Sequence, residues 1–362
     1  MKKNIVCFIT LLLMGSLLLT GCSPKLPTFK PAEKIADLST TAGEESQSLT
    51  QIIHTGDYWY TLTQEESSGN RTLSVGPSLS ETKAFYLMTN NTIHGFTAQG
   101  DHAVWCEQIA ETNNLRYMVY DRVSNRVSSI STVELPAAMT CLPKIGLFNG
   151  VVYYFELDTK ENALLMKEFQ TQTGQFRTFY AFPSCNLNNP FHYISMEAER
   201  INVVLNSTEN EPKLVSFNPS ALEAKHIINL PTVIDKIFSV SYDTVSSAYA
   251  IGYYSDDYEV ETKEYVAMLT PDPAQFDVEF CISEIGTCIS EFIYKDSLLY
   301  YINQREPTFS DKTVYSLIEY DYKNASVRVV NDFIDCSLNN GVLYGIMAED
   351  SDLEKRSLWK VL

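Results

Sequence analysis

The chain has 362 residues, 45% of them hydrophobic and 12% aromatic, with 27 basic side chains against 45 acidic ones and a formal net charge of −18. Such a composition builds a sizeable core and excludes wholesale disorder. The acidic excess argues against nucleic-acid binding, because a phosphate backbone calls for a basic footprint.

Taken in chain order, the first element is an address. Lys2 and Lys3 precede an apolar stretch from Ile5 to Leu19, broken by Thr10, Gly15 and Ser16, that ends in Leu19-Thr20-Gly21-Cys22. A short apolar segment behind a positive start and ahead of small residues reads as an export signal, not a membrane span. Leu-Thr-Gly-Cys resembles the lipobox of bacterial lipoproteins. The resemblance implies diacylglycerol modification of the Cys22 thiol, cleavage just before it, and a lipid anchor that holds the protein outside the cell membrane, or in an outer membrane where the host has one. Two acyl chains hold a protein to a bilayer where one binds only reversibly. Residues 1–21 are thus the signal peptide. Residues 22–32 are the lipidated cysteine and a tether, in which Pro24, Pro27 and Pro31 favour a semi-extended spacer. Loss of Lys2 and Lys3 on cleavage takes the net charge from −18 to −20.

Residues 33–362 contain no long helical periodicity. They contain short β-branched and aromatic runs between turn residues, an all-β signature. A turn followed by a strand recurs, for example Gly56-Asp57 before Tyr58-Trp59-Tyr60, Asn149-Gly150 before Val151 to Tyr154, and Asn340-Gly341 before Val342-Leu343-Tyr344. The strand starts fall at 58, 103, 151, 201, 248, 298 and 342, a mean period near 47. Such a period matches a β-propeller of four-stranded blades. Seven blades are expected, with six or eight as the alternatives. Leu358 to Leu362 reads as the third strand of the last unit, and Glu33 to Thr40 is expected to supply its outer strand, since open sheet edges are a liability. The blade pattern resembles that of TolB-like and DUF5050-like propeller lipoproteins. The likeness is architectural, and the fold it implies hosts many activities.

Beyond Cys7 and Cys22, the cysteines are Cys106, Cys141, Cys185, Cys281, Cys288 and Cys336. An exported compartment permits disulfides. Cys281 and Cys288 are one candidate pair, stapling adjacent blades, and Cys106 with Cys141 is another; buried free thiols are the alternative. No CxxC pair exists, and His54, His94, His102, His192 and His226 are scattered, so no metal or cofactor is expected. There is no G-x-S-x-G elbow, P-loop or dinucleotide fingerprint. No catalytic residues are therefore assigned.

The second-to-third-strand loops are rich in acid. The candidates for an acidic rim are Glu107 and Glu111, then Asp256, Asp257 and Glu259, and finally Glu349, Asp350 and Asp352. Such a rim would attract a cationic partner, a basic peptide or divalent cations. Acidic hairpin tips serve solubility equally well. The Asp256 to Glu259 cluster does not match the EF-hand spacing. The expected function is a binding or scaffold module for a protein, peptide or glycan. The rival is a carbohydrate-active or lyase-type propeller enzyme with carboxylates in its funnel.

Overall fold

A computed structural model describes residues 33–39 and 47–360, except 66, 159, 183–184, 198–199, 207–211, 222–224, 235, 257–261, 272–273, 282–291, 306–313, 334, 340–341 and 350–351. Residues 1–32, with the expected signal, Cys22 and tether, lie outside the described residues. The chain is a β-propeller of four-stranded antiparallel blades, and a 3₁₀ turn at Leu79–Glu81 is the one helical element among the described residues.

Strand β1 (Glu33–Ser39) comes first. Blade one is β2 (Gln47–His54), β3 (Trp59–Glu65), β4 (Arg71–Gly76) and β5 (Lys83–Met88). Blade two is β6 (Thr92–Gln99), β7 (His102–Gln108), β8 (Asn114–Asp121) and β9 (Arg126–Glu134). Blade three is β10 (Gly146–Phe148), β11 (Val151–Asp158), β12 (Ala163–Gln170) and β13 (Phe176–Phe182). Blade four is β14 (Phe191–Glu197), β15 (Arg200–Leu205), β16 (Lys213–Phe217) and β17 (Lys225–Asn229). Blade five is β18 (Lys236–Asp243), β19 (Ala248–Asp256), β20 (Thr262–Pro271) and β21 (Ala274–Cys281). Blade six is β22 (Ile293–Lys295), β23 (Leu298–Arg305), β24 (Val314–Asp321) and β25 (Ser326–Phe333).

The expected number of blades needs correcting. Six blades, not seven, are continuous runs of four strands. The last three strands, β26 (Asp335–Asn339), β27 (Val342–Glu349) and β28 (Asp352–Lys360), share a sheet with β1, in the order β1-β28-β27-β26. The physical reason is that β28 is the third strand of its meander, and β1 covers the edge it would otherwise expose.

Each meander gives a blade two ends. The hairpins joining second to third strands lie at one end, here called upper, together with the connections between blades. The turns joining first to second and third to fourth strands lie at the lower end. Side-chain alternation sends successive residues to opposite faces of a blade. In β7, Ala103 and Trp105 pack with Tyr60, Leu62 and Leu73 of blade one. Val104 and Cys106 pack with Leu147, Val152 and Tyr154 of blade three. The core is therefore a series of apolar layers between blades, and both faces of the middle strands are buried. Burying a side chain the size of Trp105, which has no exposed surface, stabilises the fold by about 3–5 kcal/mol relative to alanine.

The lower turns have a common chemistry. Asp121, Asp243 and Asp321 each accept the backbone N–H two residues on, from Val123 at 3.0 Å, Val245 at 3.1 Å and Lys323 at 3.0 Å. Two residues later Asn125, Ser247 and Ala325 have φ of 50°, 53° and 49°, which turns the chain back into the next strand. These are Asx turns, with the aspartate side chain standing in for a backbone carbonyl.

Candidate functional site

The upper end of blades one and two gathers the best-defined polar groups. Glu107 is the starting point, and it departs from expectation. It lies inside β7, not in the loop, and its side chain has no exposed surface. Arg116 is its cross-strand partner on β8, with Nε 3.0 Å from Oε1. Tyr86 on β5 of blade one donates to both carboxylate oxygens, at 3.1 and 3.2 Å. A carboxylate withdrawn from water is tolerated only when paired in this way. Burial, and then the Glu107 carboxylate, push the Tyr86 phenol up to about 12. Glu107 is thus removed from the acidic rim and belongs to the joint between two blades.

Glu111 does reach the surface. The β7–β8 hairpin closes with Ile109 N–H donating to the Asn114 carbonyl at 2.9 Å, and Glu111 within it has φ 59°. The left-handed region disfavours any residue with a Cβ. Ala110 N–H is received by Asn91 Oδ1 at 3.1 Å, which ties the hairpin to the β5–β6 connection. Between them is an open cleft of about 540 Å³, lined by Asn90, Thr92, Gln108 and Glu111 among others. One of its lining residues, Gln108, has Oε1 3.1 Å from His94 Nε2. Burial lowers the His94 pKa, outweighing the Gln108 contact that raises it, and Arg71 lowers it further. The ring is therefore neutral at pH 7. Amides, hydroxyls and one exposed carboxylate form the hydrogen-bonding surface of the cleft.

The other expected rim residues belong to later strands or lie outside the described residues. Asp256 ends β19, and Asp257 and Glu259 lie outside the described residues. Glu349 and Asp352 stand opposite each other in register where β27 meets β28, and Asp350 between them lies outside the described residues. Cys281 closes β21, and its candidate partner Cys288 lies outside the described residues. The Cys106–Cys141 bridge does not form: Cys106 is a buried thiol that donates to the Pro143 carbonyl at 3.5 Å. Among the described residues no three His, Cys, Asp or Glu side chains converge to hold a metal ion.

Sequence reasoning missed several carboxylates placed between strands. Glu156 on β11 accepts from Ser131 Oγ of blade two at 2.7 Å and lies 3.8 Å from Lys167 Nζ. It joins blades three and two much as Glu107 joins two and one. Near the lower end, Glu168 pairs with Arg177 in a row that begins at Tyr153. The same row recurs as Tyr300, Glu319 and Arg328, with Arg328 Nη2 2.6 Å from Glu319 Oε2. Burial, and then Glu168, push the Tyr153 phenol up to about 12. In blade four the corresponding row is neutral: Ser216 Oγ donates to Asn202 Oδ1 at 2.7 Å, and Asn202 Nδ2 donates to Ser195 Oγ at 3.0 Å. One signal was legible. Glu107 and Arg116, Glu168 and Arg177, and Glu319 and Arg328 all pair at a spacing of nine residues across a hairpin.

No family model matches the chain, and no curated protein sequence matches it either. Solved structures do. The β-propeller domain of the Trilobed protease from Pyrococcus furiosus is 9% identical, with 86% of this chain and 93% of that one covered and a TM-score of 0.51. An oligogalacturonate lyase in complex with manganese is 10% identical, with 93% of this chain and 98% of that one covered and a TM-score of 0.50. At these identities the likeness establishes the propeller fold alone.

Proposed function

We propose that the chain is a membrane-anchored extracytoplasmic lipoprotein whose propeller is a binding or scaffold module. Its contact surface in this reading is the upper end, centred on the β7–β8 hairpin, and its partner is a protein, peptide or glycan. The observation that carries the binding role is Glu111, exposed, held at φ 59° and set beside a cleft walled by amides and hydroxyls. The cleft chemistry suits a ligand rich in hydroxyls or amides that carries a cationic end toward Glu111. The lipobox at Leu19 to Cys22 supports the anchor. We further infer that the β1-β28-β27-β26 sheet acts as the closing blade of the ring.

Two experiments test this reading. Purified propeller immobilised and exposed to cell-envelope extract should capture less partner when Glu111 is replaced by Gln; equal capture sinks the hairpin assignment. The triple change of Asp256, Asp257 and Glu259 to amides tests the rest of the acidic rim in the same assay. For the anchor, Cys22→Ser should abolish fatty-acid labelling and release the chain from membranes.

A second reading is a carbohydrate-active lyase. What favours it is the fold likeness to the manganese-bound oligogalacturonate lyase. Incubation with oligogalacturonate and manganese should then yield unsaturated products, and their absence removes this reading.

A further inference from the structure

The turns at the lower end project apolar side chains into solvent in a repeated way. Val123, between β8 and β9, is 73% exposed, and Val245, between β18 and β19, is 72% exposed. Each sits at the same place in its turn, two residues after the aspartate that receives its backbone N–H. The third turn of this kind presents Lys323 at that place, also exposed. At the same end Phe176, which opens β13, is 54% exposed, and the exposed Arg126 and Arg177 stand nearby in sequence. Single exposed apolar residues are ordinary. A set of them on the tips at one end, beside cations and the exposed acids Asp57 and Asp296 of neighbouring turns, has the character of a surface for the headgroup boundary of a bilayer.

The path of the chain points to the same end. β1 holds the fourth-strand place beside β28. In the six continuous blades the fourth strand starts at the lower end. Lys360, the last residue of β28, acts electrostatically on His54, the last residue of β2, which stands at a lower turn. The third strand of this sheet therefore ends low, and β1, running antiparallel to it as the fourth strand does in the six other blades, starts there. The eleven residues 22–32 reach at most about 40 Å when extended. Entering from the lower end uses none of that reach, whereas doubling back along a blade of seven or eight residues would consume about 25 Å of it.

We propose that the lower end rests on the lipid bilayer, with the tips at Val123 and Val245 at the headgroup boundary and the Glu111 cleft facing away. This rests on the lipid-anchor reading above. It orients the molecule: the upper hairpins are presented to partners, and the lower turns are not available to them.

The test uses the lipidated full-length protein in vesicles of phosphatidylcholine and phosphatidylglycerol carrying acyl-chain-brominated lipid, which quenches tryptophan. Val123→Trp and Val245→Trp each add an indole at the lower end. Val233→Trp is the control, since Val233 is 55% exposed but lies in the connection between β17 and β18 at the upper end. The expected result is a loss of emission, beyond that of wild type, for the two lower variants and none for Val233→Trp. Quenching strongest at position 233, or no extra quenching at 123 and 245, overturns the assignment of the face. A wild-type chain recovered unlipidated in the soluble fraction overturns the anchor, and with it this proposal.

Discussion

Tyr86 on β5 and Glu107 on β7 belong to different blades, yet the Tyr86 hydroxyl lies within 3.2 Å of both oxygens of the Glu107 carboxylate. With Arg116 on the other side, the carboxylate is held from two blades at once. The first expectation follows. Removing Glu107 by Ala leaves a guanidinium and a phenol without their acceptor and should cost about 3 kcal/mol, the low end of the range for broken buried pairs because Arg116 is 32% exposed. A double-mutant cycle with Tyr86→Phe, read from urea midpoints, should return a coupling of at least about 0.5 kcal/mol. Additive effects would mean the two blades are held by packing alone.

Stability should fall in alkali. Burial and a neighbouring carboxylate hold Tyr86 and Tyr153 each at about 12 in the folded chain, against the ordinary 10.0. Their protonated forms are the ones the fold favours. The contribution is therefore fully present below pH 10 and is lost as pH rises toward 12. Urea midpoints measured from pH 9 to pH 11 should decline, and the decline should flatten in the Tyr86→Phe, Tyr153→Phe double variant. An unchanged slope would count against both sites.

At position 111 the backbone and the side chain make separable demands. Glu111→Gly relieves a φ of 59° and should raise stability by up to about 1 kcal/mol, while Glu111→Val should lower it. Thermal midpoints give the sign directly. Partner capture should fall in both variants, because both lack the carboxylate. A stabilised Gly variant that still captures partner would assign recognition to the cleft walls instead.

Gly252 on β19 marks a close approach between blades five and six. A Cβ built there would lie 2.6 Å from the rings of Phe238 and Phe292. Gly252→Ala should therefore destabilise by about 1–3 kcal/mol, the cost of overpacking a filled core. The combination with Phe238→Leu should recover part of that loss; no recovery would show that the Phe292 ring is the obstruction.

The turn-then-strand recurrence made the blades readable, because a hairpin needs particular residues at its bend and a buried strand needs β-branched or aromatic ones. Asp121 to Asn125 shows why: the side-chain acceptor and the left-handed residue both follow from residue type. Glu107 shows the limit. The apolar run of β7 stops at Cys106, so a glutamate beyond it resembles loop. The strand nevertheless runs on to Gln108. What keeps the carboxylate inside is Arg116 across the hairpin and Tyr86 from another blade. Only the first partner has a fixed spacing in sequence. The second depends on how blades stack, and no local pattern encodes it. The cleft beside Glu111 was half legible for the same reason: the hairpin acid was visible, but Asn91 from the preceding connection was not.

The sheet that unites β1 with β26, β27 and β28 also sets an order of events. β1 precedes β28 by most of the described strands, so β1 must wait unpaired until β28 has emerged. The β1–β28 pairing is then the slowest kind of contact to form, one between segments far apart in sequence. Once formed, it changes how the molecule bears load. A pull applied across this sheet, between β1 and β28, acts first on their pairing, so this one ladder is the latch whose failure would bare the edge of β28.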